Sequence, residues 1–294
     1  MMSSTGFPDA TALGVKFWGV RGSFCASGPD YSEFGGHTAC VEIRCGERLF
    51  VVDAGTGLTA LGMELVDKAP PEIDLLLSHL HPDHTSGLPF FKPVLLGGHL
   101  RIHCGNLGGD SSEAALERMF SPPLFPVHLD QLPGDIEHVG FRAGETLRFP
   151  DGQEVQTLPL NHPQGATGYR FEHRGRAVCY ISDIEHTEPW PPEPLLHFVR
   201  EADLVIFDGM FLEAEYPDRK GWGHSTWKKG VQLCQAAGAK ALAIVHLNPA
   251  HDDGFLRDLE KHVKSEMPEA FIAREGQSLV FPADPLSAPG TRSG

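Results

Sequence analysis

Four side chains that commonly bind metal ions lie within one short segment of this chain. The segment is His79-Leu80-His81-Pro82-Asp83-His84, which supplies three imidazoles and one carboxylate within six residues. Neutral imidazoles and carboxylates are ligands that zinc and similar divalent cations accept. Because one metal ion takes only three or four protein ligands, so dense a cluster predicts the first part of a two-metal site. Such a site would polarise a substrate and activate water for hydrolysis.

This histidine cluster directly follows an apolar run at residues 73–77, which predicts a buried strand. Because a rigid sheet positions ligands well, further ligands are expected where other buried strands end. His162, Asp183 and His246 each follow or end such a run. A single polar residue in this place is more often structural, but four such strand ends in one chain favour a shared site.

Strands and helices alternate along both halves of the chain. The first half contains a hairpin at residues 40–53 and a helix that begins near Gly57. In the second half we predict strands at residues 154–160, 168–173, 176–182, 203–208 and 241–246, and helices at 225–237 and 253–264. Two halves of mixed strands, each followed by helices, predict two packed sheets with helices outside, which is an α/β sandwich.

Two segments depart from this pattern. Residues 105–135 are irregular, with a short helix predicted at 112–120 followed by a long loop, and such loops are often functional. We therefore expect a wall or lid over the site. The end of the chain, residues 283–294, is rich in Pro, Ser and Gly and is predicted to be disordered, which leaves a single domain over residues 13–282.

Composition narrows the class of partner. The formal net charge is −15 and the chain has no basic run, which makes a long nucleic acid an unexpected substrate. There is no apolar run of about 18 residues and no basic segment followed by an apolar core at the start, so we expect a cytoplasmic protein without a membrane span. The six cysteines form no C-x-x-C pair and are predicted to be buried, reduced thiols.

The order of these ligands resembles the metallo-β-lactamase superfamily over nearly the whole chain, from about residue 15 to 281. The resemblance implies an αββα four-layer sandwich with the site at the edge between two sheets. It also implies two divalent metal ions, zinc foremost and manganese or iron as alternatives, and a homodimer. By the same resemblance His79, His81 and His162 would hold one metal ion, Asp83, His84 and His246 would hold the second, and Asp183 would bridge both.

A second motif, Gly223-His224-Ser225-Thr226, resembles the phosphodiesterase branch of that superfamily, which includes ribonuclease Z and small cyclic-phosphate phosphodiesterases. In that branch the matching histidine acts beside the metals, which makes His224 a candidate general acid for the leaving oxygen. Its alternative role is a surface histidine at the start of a helix. Asp83 would orient or deprotonate the attacking water, and Asp208 has a carboxylate that could orient His224.

The spacing of the ligands favours a small substrate. The ribonuclease Z members carry a long substrate-binding arm between the third histidine and the bridging aspartate, whereas only 20 residues separate His162 from Asp183 here. Their His-Glu-Ala-Thr motif is also replaced by Phe207-Asp208-Gly209-Met210. We therefore expect a cyclic nucleotide or a cyclic sugar phosphate. The alternatives are a tRNA 3′-processing type of ribonuclease, a lactone or thioester hydrolase, and a non-enzymatic metal-binding scaffold.

Several other residues remain open from the sequence. Arg21 would face a phosphate or pair with an acid, and His37 is expected to make a structural hydrogen bond. His251 is expected to be solvent-facing or structural, with the rim of the site as the alternative. Trp222 and Trp227 flank His224, and we expect them to pack in the core rather than to line a pocket for a base.

Overall fold

Two seven-stranded sheets form the centre of the structure, a computed structural model that describes residues 11–70, 72–105, 109 and 111–285. Strands are numbered along the chain. The strands of the first sheet are β1 (Leu13–Gly19), β2 (Cys40–Cys45), β3 (Arg48–Val52), β4 (Glu72–Leu77), β5 (His99–Cys104), β6 (Asp135–Gly140) and β14 (Ser278–Phe281). They are arranged in the order β14-β1-β2-β3-β4-β5-β6.

The second sheet repeats this arrangement. Its strands are β7 (Thr146–Arg148), β8 (Glu154–Leu160), β9 (Ala166–His173), β10 (Arg176–Ile181), β11 (Leu204–Asp208), β12 (Leu242–Val245) and β13 (Ala270–Ile272). They are arranged in the order β13-β12-β11-β10-β9-β8-β7. In each sheet a run of four strands is parallel, β3 to β6 in the first and β10 to β13 in the second. The carboxyl ends of such parallel strands meet at one edge, where sites commonly form.

Helices cover the outer face of each sheet. The helices are α1 (Gly57–Glu64), α2 (Lys92–Leu95), α3 (Ser112–Met119), α4 (Glu193–Phe198), α5 (Trp227–Ala237) and α6 (Asp253–Glu266). The first three pack on the first sheet, and α5 and α6 pack on the second. Two helical layers around two sheets make the expected αββα four-layer sandwich.

The largest apolar core lies between the two sheets. Phe50 of the first sheet packs at 5.4 Å from the ring of Phe171 in the second, and both side chains are fully buried. A second core lies under α1, where Leu58 and Leu61 pack with Leu75. Because the first core joins both sheets, the edge at which their parallel strands end is held as one rigid platform.

Each predicted strand is present in the structure, with small differences at its ends. The helix predicted to begin at residue 225 begins at Trp227, since Phe211 N donates to Ser225 O at 3.1 Å and holds Ser225 and Thr226 in extended backbone. Strands β5, β6, β7, β13 and β14 and helices α2 and α4 were not predicted.

The expectations for the cysteines, the end of the chain and membrane spans have different outcomes. Five of the six cysteines are free and buried, but Cys25 is exposed, which corrects the prediction for that residue. Residues 286–294 of the predicted disordered tail lie outside the described residues, and the single domain over residues 13–282 stays a prediction. In the described part of the chain no helix is both long and apolar enough to cross a membrane.

Candidate metal centre

The parallel strands of both sheets end beside the predicted ligands. In the first sheet β4 leads into the histidine cluster through Ser78. In the second sheet Asp183 follows β10, and His246 directly follows β12. His162 follows the antiparallel strand β8. The structure therefore brings all seven predicted metal ligands to one edge, as the sequence led us to expect.

Three of these residues form one compact group. His79, His81 and His162 place one ring nitrogen each within 4.8 Å of one another. The Nε2 atom of His79 lies 2.8 Å from Nδ1 of His81, and Nε2 of His162 lies 3.2 Å from the same atom. Three imidazole nitrogens that converge in this way need a shared proton or a cation between them. The donor set fits a metal ion.

A second group lies beside the first. Asp83 Oδ2 is 3.3 Å from Nε2 of His84 and 3.2 Å from Nε2 of His246. The Nε2 atom of His84 is fully buried and faces the Asp83 carboxylate without a hydrogen bond of good geometry to any described residue. A buried ring nitrogen in this position is costly, unless a ligand such as a metal ion satisfies it.

Asp183 lies between the two groups and approaches both. Its Oδ2 is 3.2 Å from Nε2 of His84, and its Oδ1 is 3.3 Å from Nε2 of His246. On the other side, Oδ1 is 3.8 Å from Nε2 of His79 and 4.0 Å from Nε2 of His162. This position fits a carboxylate that would bridge two cations.

The carboxylates of the cluster shift the pKa values of His84 and His246 upward. Burial lowers the pKa of His84, but the charges of Asp183 and Asp83 outweigh it and raise that pKa well above its ordinary value. Burial also lowers the pKa of His246, while Asp183 and Asp83 raise it, to about 9. Burial raises the pKa of Asp183, but His246 and His84 hold it well below the usual carboxyl range. A bound cation would take over this role and displace the ring protons.

Strained backbone accompanies the strand ends at this edge. Asp53 and His246 directly follow β3 and β12, and Asp183 lies two residues after β10. Their φ angles are 63°, 57° and 59°, respectively. The left-handed region costs a residue with a side chain about 1–2 kcal/mol. Such conformations persist where the surrounding structure enforces them, and they cluster at functional sites.

Asp53 belongs to this site although the sequence analysis did not select it. Its buried carboxylate accepts hydrogen bonds from the amide of Ser78 at 2.7 Å, from the hydroxyl of Tyr180 at 2.7 Å and from Nδ1 of His84 at 2.8 Å. The bond from His84 leaves Nε2 of that ring directed at the cluster. A carboxylate behind a histidine in this way fixes the tautomer and orientation of a metal ligand. The signal was available, because Asp53 ends the same kind of apolar strand as the chosen ligands.

We expect the Asp53→Asn variant to bind metal about 10–100-fold more weakly, because the amide cannot accept all three hydrogen bonds and releases His84. The measurement is a competition titration of the apoprotein against a chromogenic chelator. The matched control is Asp74→Asn, since Asp74 is an equally buried aspartate of β4 that accepts a hydrogen bond from His103 at 2.8 Å. Equal loss of affinity in both variants would contradict a specific role for Asp53.

His224 lies at the edge of the cluster. Its Nδ1 donates to Oδ2 of Asp208 at 2.9 Å, and Asp208 is fully buried. Its ring stacks on that of His246 with 4.6 Å between centroids. The Nε2 atom of His224 bonds to no described residue, so it is available to a substrate. Asp208, His224, Asp183 and His246 also offer ligand atoms within 4.8 Å, which keeps a ligand role for His224 as an alternative.

Glu185 holds the segment in front of His224 and was not predicted. Its two carboxylate oxygens accept hydrogen bonds from the amides of Gly221 at 2.7 Å and Gly223 at 2.9 Å. Gly223 O in turn accepts from Nδ1 of His162 at 2.8 Å. A side chain on Gly223 would clash with the His162 ring, since an added Cβ would lie 2.3 Å from Nδ1. Glu185 thereby ties His224 to a metal ligand.

Arg21 neither faces a phosphate nor forms the expected ion pair. It is fully buried, and its guanidinium donates to the carbonyls of Gly35 at 2.7 Å, Asn248 at 3.2 Å and His251 at 2.7 Å. These bonds hold the loop that follows His246. The sequence analysis was wrong here because carbonyl partners on a distant loop leave no trace in local sequence.

The other open residues are settled by their contacts. His37 makes a structural contact, with its Nδ1 3.1 Å from Thr56 Oγ1, as expected. His251 Nε2 lies 3.1 Å from Glu215 Oε1 and does not join the cluster. Trp227 packs in the core, but Trp222 is 58% exposed, which corrects the expectation for Trp222.

The irregular segment touches the ligand-bearing turn. Met119, at the end of α3, accepts a hydrogen bond from Thr85 Oγ1 through its sulfur at 3.2 Å. Thr85 directly follows His84. The end of α3 therefore supports one side of the site, which agrees with the wall expected from residues 105–135.

Sequence comparison with known proteins identifies a family and several relatives. Residues 48–247 match the family model described as a beta-lactamase superfamily domain. A protein named Ribonuclease Z from Porphyromonas gingivalis is 24% identical over 280 residues, which cover 78% of this chain and 89% of the relative.

Solved structures show the same fold. The metallo-beta-lactamase fold protein YhfI from Bacillus subtilis aligns with a TM-score of 0.69 and 21% identity over 92% of this chain and 99% of its own. A diphosphatase of the PhnP family aligns with a TM-score of 0.66 and 16% identity over 92% of this chain and 98% of its own.

Proposed function

The chain belongs to the beta-lactamase superfamily, and we propose that this metal-dependent hydrolase cleaves a small phosphodiester, such as a cyclic nucleotide or a cyclic sugar phosphate. The observation that carries the proposal is His224, held by Asp208 at the edge of the ligand cluster with Nε2 available. An alkoxide leaving group needs a proton, and an imidazole in this place can supply it. Amine and thiolate leaving groups depend less on such a donor.

In the proposed site His79, His81 and His162 would hold one divalent cation, and Asp83, His84 and His246 would hold the other, with Asp183 shared between them. When bound, these cations would polarise the phosphodiester and favour ionisation of the attacking water. We propose zinc, since neutral imidazoles and carboxylates suit it, with manganese and iron as alternatives that the same ligands accept.

The protein side chains supply proton transfer and orientation. Asp83 lies in the cluster, and its Oδ2 also accepts a hydrogen bond from the amide of Ser23 at 2.7 Å, which fixes this carboxylate. It would orient or deprotonate the attacking water. On the other side His224 donates a proton from Nε2 to the leaving oxygen. Asp208 accepts from Nδ1, keeps the ring oriented and stabilises its charged form.

Two observations favour a small substrate. The chain between His162 and Asp183 forms only β9, a tight turn and β10, with no room for a substrate-binding arm. The net charge of −15 also opposes a long polyanion. The second candidate function is a ribonuclease. The relative named Ribonuclease Z favours it, whereas a long nucleic acid is an unexpected substrate for a chain of this charge.

A substrate panel on the metal-loaded protein tests the proposal. We expect turnover of cyclic nucleotides or cyclic sugar phosphates and little cleavage of a precursor tRNA. Efficient cleavage of precursor tRNA without activity on cyclic phosphates would favour the ribonuclease. Hydrolysis of lactones or thioesters without any phosphodiester cleavage would overturn the proposed function.

A further inference from the structure

Two large aromatic side chains next to the metal centre are exposed. Phe24 is 71% exposed and Trp222 is 58% exposed. Phe24 directly follows Ser23, whose amide donates to the Asp83 carboxylate at 2.7 Å. Trp222 lies two residues before His224. One aromatic residue thus follows a backbone amide that contacts Asp83, and the other belongs to the segment that leads into His224.

The indole of Trp222 is held in place although it is exposed. The backbone on both sides of it is fixed, because the amides of Gly221 and Gly223 both donate to Glu185. The guanidinium of Arg219 lies over the indole, 5.0 Å from a ring centroid. An exposed aromatic ring with a fixed backbone loses little conformational entropy when a planar ligand stacks on it.

A continuous row of rings joins Trp222 to the proposed proton donor. The Phe211 ring packs edge-to-face against Trp222 at 6.5 Å and against His224 at 5.9 Å. A group stacked on Trp222 would therefore be attached close to the leaving oxygen that His224 serves. This is where the base of a nucleoside would lie if the ribose supplied that oxygen.

We infer that Trp222, with Phe24 on the other side, forms a stacking platform for an aromatic base, so that the substrate class is a nucleoside phosphodiester rather than a cyclic sugar or alkyl phosphate. This inference rests on the proposed function, whose substrate it specifies. Stacking of a base on an aromatic side chain contributes about 1–3 kcal/mol. Stacking depends little on which base is present. The platform therefore distinguishes nucleosides from sugars, but it distinguishes one nucleoside from another only weakly.

The test compares two substrates with the same five-membered cyclic phosphodiester. They are adenosine 2′,3′-cyclic phosphate, which has a base, and glycerol 1,2-cyclic phosphate, which has none. We expect Trp222→Ala to lower kcat/KM for the adenosine substrate about 5–100-fold and to leave the glycerol substrate within about twofold. Trp222→Phe should keep most of the activity. Leu96→Ala, at a surface position that is also 58% exposed, should change neither.

A binding experiment separates failure of the platform from failure of the proposed function. Calorimetry of the metal-loaded protein with AMP and with ribose 5-phosphate needs no turnover. Weaker binding of AMP alone in Trp222→Ala supports the platform, even if no cyclic phosphate is cleaved and the proposed function fails. Equal effects of Trp222→Ala on both ligands, or on both cyclic substrates, would show a structural role for Trp222 and overturn the inference.

Discussion

Replacement of His224 by alanine is expected to slow cleavage of an alkyl phosphodiester about 10²–10⁴-fold while both metal ions stay bound. The reason is that the Nδ1 atom of His224 donates to Asp208 at 2.9 Å, which leaves Nε2 as the proton donor to the leaving oxygen. An alkoxide is a poor leaving group without that proton. The measurement is kcat for a cyclic nucleotide, together with the metal content of the purified variant.

The choice of substrate makes this prediction specific. A p-nitrophenolate leaving group needs no proton, so hydrolysis of bis-p-nitrophenyl phosphate should fall much less than cleavage of the alkyl diester in the same variant. Asp208→Asn should give a smaller loss with the same difference between substrates. Loss of one metal ion in His224→Ala would contradict the donor role, since His224 also lies within ligand distance of Asp183 and His246.

The convergence of the seven proposed metal ligands could be expected from the sequence because its signal is local. Each one follows or ends an apolar run that must be a strand, and parallel strands bring their carboxyl ends to one edge of a sheet. The histidine cluster needs no long-range information at all. Two predicted sheets with outer helices then leave one edge at which His162, Asp183 and His246 can meet the cluster, as they do.

The residues that support the ligands are harder to find in this way. Asp53 follows an apolar strand as the ligands do, but its partners His84 and Tyr180 appear only in the folded chain, and Glu185 acts through the backbone of Gly221 and Gly223. Such partners are chosen by the tertiary structure, and neighbouring sequence does not encode them. The same holds for Arg21, because two of its three carbonyl partners, Asn248 and His251, belong to a loop more than two hundred residues away.

Two of the strands that were not predicted, β6 and β7, lie at the edges of the two sheets. Strand β6 alternates exposed and half-buried residues and contains no fully buried side chain, so its sequence lacks the apolar run that marks a central strand. It lies at the edge of the first sheet. Strand β7 is only three residues long, which is too short for a periodic pattern of apolar residues to be visible. Edge strands of this kind can be identified only from their pairing with neighbouring strands in the folded structure.

We expect Asp183→Asn to lower activity by at least about 10³-fold and to reduce the metal content below two ions per chain. Asp183 approaches ring nitrogens of both ligand groups, at 3.2 Å from His84 and 3.8 Å from His79. An amide at this position has one oxygen and no charge, so it cannot bridge two cations. Its loss also leaves the imidazolium groups of the apoprotein without their central carboxylate. The measurements are metal analysis of the purified variant and its turnover number.

The control for folding in this experiment is Asp208→Asn, which removes the charge of an equally buried aspartate at the same edge of the second sheet. If the bridging role is correct, Asp208→Asn keeps two ions and Asp183→Asn does not, although both retain the circular dichroism of the wild type. Asp183→Glu should recover part of the metal content, because it restores the carboxylate in a poorer position. Full occupancy by two ions at wild-type affinity in Asp183→Asn would show that the two groups bind their cations independently, and the bridge would then have to be abandoned.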